Sequence, residues 1–264
     1  MSGDATALST REELFRRQPL TYAAVKLIRQ IIGSERGERA IEALCLSPLR
    51  TFYYRALERT AISYMGRNVS EIKPVTYFEF GVGWGETVTN YIIAAKDFAK
   101  DKHLSISDFN ITLFDSFKGL PPKNGAYDDH PSWKPGMFAH GVSEVKRVIR
   151  NLGLDPNSDR LKIIEGLYEE TLTNKLSESL EVTPPQVVTV DCDYYSSTKV
   201  VLEWLRPIIK DGCVLYFDDI WVFNGNPHKG QLRAINEFND KNDGRLSVFP
   251  ITPSVGSKCF LFSR

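Results

Sequence analysis

Residues Tyr77 to Thr87 read YFEFGVGWGET: an apolar run closed by a glutamate, then glycines at three alternate positions, Gly81, Gly83 and Gly85. Glycine permits φ > 0 and lets the backbone approach another group with no Cβ between them. The order of apolar run, bare turn and amphipathic segment predicts a strand that turns sharply into a helix from about Thr87. The first amides of that helix have no intrahelical partners. In a doubly wound sheet, the turn that follows the first strand is where a cofactor lies. This stretch therefore decides both the fold and the place to look for a site.

Outward from it, after Lys73-Pro74, short β-rich runs alternate with helical patterns. The strand candidates are VTYFEF, FNITLFDS, LKIIEG, QVVTVDCD, CVLYFDD, RLSVFPIT and SKCFLFSR. Val142, Val145, Val148, Ile149 and Leu152 share one helical face, as do Val200, Val201, Trp204, Leu205, Ile208 and Ile209. This alternation predicts an α/β, Rossmann-like fold: a mostly parallel seven-stranded sheet with helices on both faces. Gly119 to Gly141, rich in Pro and Gly, is longer than the usual connection within a domain and reads as a lid.

Before this unit the pattern is helical, with Leu20, Ala23, Ala24, Leu27 and Ile31, then Leu49, Phe52, Tyr53, Leu57 and Ile62, at three- and four-residue steps. We divide the chain into a helical extension, residues 1–72, and an α/β domain, residues 73–264. The aromatic face of the extension suits a homodimer or higher homo-oligomer, a substrate lid, or packing on its own domain.

The 264 residues are 42% hydrophobic and 25% charged, enough to bury a core without staples. Thirty-three basic residues balance thirty-three acidic ones, which excludes partners held by net charge alone, nucleic acid or an anionic membrane. The four cysteines, Cys45, Cys192, Cys213 and Cys259, show no C-x-x-C spacing and suit a reducing cytoplasm. No run reaches the roughly 18 to 20 apolar residues of a membrane span, and there is no signal-like apolar core. A cytoplasmic location is expected.

Counted from Gly81 and Gly83, the third glycine of a dinucleotide fingerprint falls on Glu86, which weakens the NAD reading. Acid-x-Gly-x-Gly-x-Gly, Glu79 to Gly85, resembles motif I of class I S-adenosylmethionine-dependent methyltransferases. Glu79 suits the ammonium and sulfonium of that cofactor. Asp115, closing the second strand, is placed to accept from both ribose hydroxyls. It stands about ten residues further along than the roughly 20 of a generic ribose acid. An elongated first helix, or an insertion near KDKHLSISDF, must absorb the difference.

The fourth and fifth strand candidates end in VTVDCD and LYFDD, so Asp191, Asp218 and Asp219 converge on the cofactor's edge. Crowded carboxylates repel unless a cation lies between them, and Mg²⁺ suits such oxygen ligands. Taken singly, each acid could instead cap a helix. A metal that binds an acceptor hydroxyl acidifies it and fixes its line of attack on a methyl group. Asp191 as ligand and base, Asp193 beside it, and His140 or His228 in flanking loops are the candidates to take the proton.

Glu79 to Gly85, LFDSFKGLPP, EGLYEETL, VDCDYYSST and DDI stand in one order, and with them the chain from about Val75 resembles the macrocin O-methyltransferase family. The resemblance implies a metal-dependent enzyme that methylates sugar hydroxyls on glycosylated natural products or glycans. It also implies that Glu79, Gly81, Gly83, Gly85, Glu86, Thr87, Asp115, Ser116, Phe117 and Gly166 surround S-adenosylmethionine. Asp191, Asp218 and Asp219 would then hold Mg²⁺, and Trp133, Gly136 and Phe138 would form a mobile lid over the acceptor. Cys192, where the family commonly has glycine, and Ile220, where it has an aromatic residue, alter the expected acceptor wall. Two rivals stand beside this reading. One is a nucleotide-sugar glycosyltransferase built on Asp191-Cys192-Asp193. The other is a noncatalytic interaction module.

Overall fold

The computed structural model describes residues 49–63, 74–180, 183–250 and 256–264. The helical pattern from Leu20 to Ile31 lies outside them. The elements are α1 (Leu49–Ser63), β1 (Val75–Phe80), α2 (Glu86–Asp101), β2 (Phe109–Asp115), α3 (Val142–Asn151), β3 (Leu161–Glu165), α4 (Tyr168–Thr171), α5 (Asn174–Leu180), β4 (Val187–Val190), α6 (Tyr195–Leu205), β5 (Val214–Phe217), α7 (Gly230–Asn239), β6 (Arg245–Phe249) and β7 (Lys258–Ser263).

The seven strands form one sheet in the order β3-β2-β1-β4-β5-β7-β6. The first five run parallel, and β7 is antiparallel to both of its neighbours. All six residues of β1 are buried, as a central strand covered on both faces requires. The strand order reverses between β1 and β4, so the crevice outside their carboxyl ends is where a ligand fits. On one face α1, α2 and α3 pack over Tyr77, Ile111, Leu113 and Val187. On the other, α6 and α7 pack over Phe78, Phe80, Val188 and Leu215.

Helix α1 belongs to the first of these cores: Phe52, Tyr53, Ala56 and Leu57 are buried with the sheet residues. This part of the extension packs on its own domain. The extra length before Asp115 is taken up in both expected ways, by the 16-residue α2 and by a one-turn 3-10 helix, Ile106–Asp108, closed by a capping box between Ser105 and Asp108. The second helical stripe ends sooner than its periodicity predicts. Pro207 has no amide to continue α6, and Ile208 and Ile209 instead donate to the Leu205 carbonyl in a turn, still buried.

The Gly119–Gly141 loop is fastened at two points. Asp128, fully buried, accepts from the Ser196 amide at 3.0 Å and the Ser196 hydroxyl at 2.7 Å in the first turn of α6, and from the Asn124 amide at 3.1 Å. A carboxylate at a helix N-terminus meets both unpaired amides and the positive end of the dipole. Trp133, also buried, packs with Leu120 and Tyr194 and lies edge-on to Phe223. Phe138, by contrast, is exposed with a left-handed φ of 63°. No helix among the described residues is long and apolar enough to cross a membrane. Asp128→Ala should destabilise the chain by about 2 to 4 kcal/mol in denaturant unfolding and open the loop to proteolysis, since it removes a charged cap and strands the Ser196 donors.

Candidate active site

The glycine turn is built by different constraints at each position. All three glycines have positive φ, 85° at Gly81, 52° at Gly83 and 95° at Gly85. A Cβ on residue 81 would stand 1.7 Å from the Asp191 carbonyl oxygen, so the end of β4 presses directly on the turn. At Gly83 such an atom would meet nothing within 4 Å, and this is the open face that a ligand can reach. Gly85 is the N-cap of α2. Glu86 and the buried Thr87 begin that helix.

Asp115 crosses from β2 to this turn. Its Oδ2 accepts from the amides of Val82 at 2.7 Å and Gly83 at 3.0 Å, and its Oδ1 from that of Phe117 at 2.7 Å. Two lone pairs per oxygen leave room on Oδ1 for a further donor. Asp115 therefore shapes the turn as well as facing it. Ser116 is spent locally, its hydroxyl donating to the Gly119 carbonyl and accepting from the Lys118 amide. Phe117 is buried, with a left-handed φ of 55°. Gly166 donates to the Asp115 carbonyl with a φ of 142°, and a Cβ there would stand 2.7 Å from the Thr171 methyl. The turn after β3 thus abuts that after β2.

Glu79 is fully buried beneath the turn. Its Oε2 accepts from the Tyr77 hydroxyl at 2.6 Å, whose oxygen lies 2.9 Å from Thr189 Oγ1, which in turn lies 2.7 Å from Tyr53 Oη on α1. Its Oε1 has no hydrogen-bond partner. Burial pushes its pKa up to about 8, offset in part by the Tyr77 hydrogen bond. Tyr77 itself is held well above its ordinary value by burial and by Glu79, and so remains a donor.

Asp191, Asp218 and Asp219 place one carboxylate oxygen each within 4.8 Å of one another. Burial, then mutual repulsion, holds Asp191 and Asp219 well above the usual carboxylate range; for Asp191 the repelling neighbours are Asp218 and Asp219, and for Asp219 they are Asp193 and Asp218. Asp218 accepts from the Tyr216 hydroxyl. Oδ2 of Asp219 is buried and has no partner. A buried carboxylate oxygen without a donor is costly, and a hard divalent cation with oxygen ligands removes that cost, so the residues fit Mg²⁺. Asp193, with a left-handed φ of 57°, is raised by burial, then by Asp191, Asp218 and Asp115.

The remaining candidates fall elsewhere. His140 pairs at 3.2 Å with Glu144 on α3, and His228 lies on an exposed turn. Cys192 and Ile220 are the two departures from the family pattern. Both are buried in the core beneath α6 and α7, with the Cys192 thiol 3.5 Å from the Thr198 hydroxyl. Sequence reading missed Gln231, which is buried, accepts from the Asp219 amide at 3.0 Å and donates to the Val190 carbonyl at 3.2 Å. It thereby holds the ends of β4 and β5 in register, and no motif around a helix-start glutamine signals that.

The strand order, the acid and glycine turn and the carboxylates beside it define a class I methyltransferase. In fold, the chain is similar to the calicheamicin methyltransferase CalS11, with TM-score 0.55 and 24% identity over 78% of each chain. It is also similar to the O-methyltransferase NovP, with TM-score 0.55 and 21% identity over 80% of each chain. Among curated protein sequences no match was found. The sequence profile of the family described as macrocin-O-methyltransferase (TylF) matches residues 83–249, which take in Gly83, Asp115 and all the aspartates of the cluster. The chain belongs to this O-methyltransferase family.

Two results are expected from the turn. Gly81→Ala should displace the end of β4 and cost more than about 3 kcal/mol in unfolding, whereas Gly83→Ala should cost only the roughly 1 to 2 kcal/mol of a left-handed alanine. Glu79 binds a proton in the folded chain up to about pH 8 but only up to its ordinary 4.5 when unfolded, so its contribution to stability falls as pH rises between these values. Glu79→Gln should therefore flatten the loss of stability in that window, read by urea unfolding at several pH values.

Proposed function

We propose that the protein is an S-adenosylmethionine- and Mg²⁺-dependent O-methyltransferase whose acceptor is a sugar hydroxyl in a glycosylated natural product or glycan. The observation that carries this reading is the contact of Gly81 with Asp191, which sets an open glycine turn and a three-carboxylate cluster on one sheet edge. Membership of a macrocin O-methyltransferase family supports the acceptor class.

Bound there, S-adenosylmethionine supplies the methyl group and Mg²⁺ a Lewis acid that acidifies the hydroxyl. Asp191, Asp218 and Asp219 would hold the ion. The open backbone at Gly83 would hold the methionine end of the cofactor, the buried Glu79 carboxyl beneath it would face the ammonium, and Asp115 would accept from the ribose hydroxyls. Asp193 takes the hydroxyl proton. It is not needed as a ligand, and its raised pKa makes it a stronger base than an ordinary aspartate. The reading keeps the enzyme in the cytoplasm and extends to a homodimer or higher homo-oligomer assembled through the helical extension.

Titration of the chain with S-adenosylhomocysteine, with NAD and a nucleotide-sugar as controls, tests the cofactor. Preference for either control would overturn the reading. On a glycoside acceptor, Asp193→Asn should lower kcat by about 100- to 10,000-fold with unchanged S-adenosylhomocysteine affinity. Asp219→Ala should abolish stimulation by Mg²⁺, and full activity after chelation would remove the metal from the mechanism.

A further inference from the structure

Beyond the carboxylates a groove of about 370 Å³ runs between α7 and the edge strand β6. Its floor is apolar, with Leu232 and Ile235 from α7, Leu246 and Val248 from β6, and Phe260 from β7. Its near end adjoins the site: Trp221 follows Asp219 by two residues, and Lys258 pairs across the sheet with Phe217, the residue before Asp218. The Trp221 indole is 42% exposed, with Lys258 Nζ 5.3 Å from its ring centre, and Val248 is 58% exposed. Its far end carries Arg245, three strand residues or about 10 Å further along. Among the described residues neither Lys258 nor Arg245 has a carboxylate partner.

An apolar floor flanked by the exposed Trp221 and Val248 and by the polar Asn236, Asn239 and Ser247, with one of these cations at each end, complements an apolar body that carries an anion. We infer that this groove seats the non-reacting part of the acceptor, an apolar aglycone bearing a phosphate or carboxylate, with Trp221 as the wall between it and the reacting hydroxyl. Its role as an acceptor subsite rests on the proposed methyl transfer; its ligand chemistry does not. Binding energy from such a remote group can be used to orient the hydroxyl for attack.

The test uses the full chain with octyl phosphate, octanoate and octanol, followed by tryptophan fluorescence and calorimetry. Octyl phosphate or octanoate should bind at least tenfold more tightly than octanol, and whichever is tighter names the anion. Of Lys258→Gln and Arg245→Gln, the one that removes the cation paired with the anion should weaken that binding three- to tenfold and the other should leave it nearly unchanged, Val248→Glu should abolish it, and Trp221→Phe should remove the fluorescence change. These positions lie at or near the surface, and thermal melts of each variant check the fold. Equal binding of octanol, no binding of any probe, or unchanged affinity in both cation variants would overturn the inference. S-adenosylhomocysteine titrated into the same samples separates the two readings: its failure to bind with the groove intact counts against methyl transfer, and normal binding with an empty groove counts against the groove.

Discussion

The approach of the Asp191 carbonyl to Gly81 is the constraint on which the rest of the site depends. It fixes the distance between the first strand-to-helix turn and the end of β4, and it admits only glycine at residue 81. Through β4 it also fixes the carboxylate cluster, because Gln231 ties the Val190 carbonyl to the Asp219 amide. From the other side Asp115 grips the amides of Val82 and Gly83. Four strand ends are thus joined, one pair by direct backbone contact and the others by side chains that grip backbone groups. Methyl transfer is a matter of alignment, and rigid alignment is what this arrangement provides.

Electrostatics run against the fold in the same place. Glu79, Asp191, Asp193 and Asp219 are all pushed above their ordinary pKa values by burial, and the aspartates by one another as well. A hydrophobic core of aromatic residues on both sheet faces offsets the strain, while the Tyr77 hydroxyl, itself held by Thr189 and Tyr53, donates to Glu79 from below. Local instability of this kind is characteristic of sites whose cationic ligands relieve it.

The seven strands were legible because buried parallel strands read as short apolar runs and their ends carry acids. The convergence of Asp191, Asp218 and Asp219 was legible for the same reason, since neighbouring strand ends follow from the expected order. Side chains that act through the backbone were not. Gln231 and Asp128 resemble any polar residue near a helix start, and only the tertiary partners, Val190 and Asp219 for one and Ser196 for the other, give them meaning. The burial of Cys192 and Ile220 was not legible either, because chain adjacency to a carboxylate does not say which way a side chain turns; both turn into the core. The α6 stripe was overextended because helical periodicity continues through a turn that Pro207 forces.

The fastening of the long loop by Asp128 carries one more consequence. A tether at its middle divides a single wide arc into two shorter ones, and each still carries exposed residues, Tyr127 on the first and Phe138 on the second. Each arc is then held at both ends once the chain has folded. The conformational entropy that a loop of this length would keep when anchored only at its ends is thus surrendered in two smaller portions, each limited by its own pair of anchors.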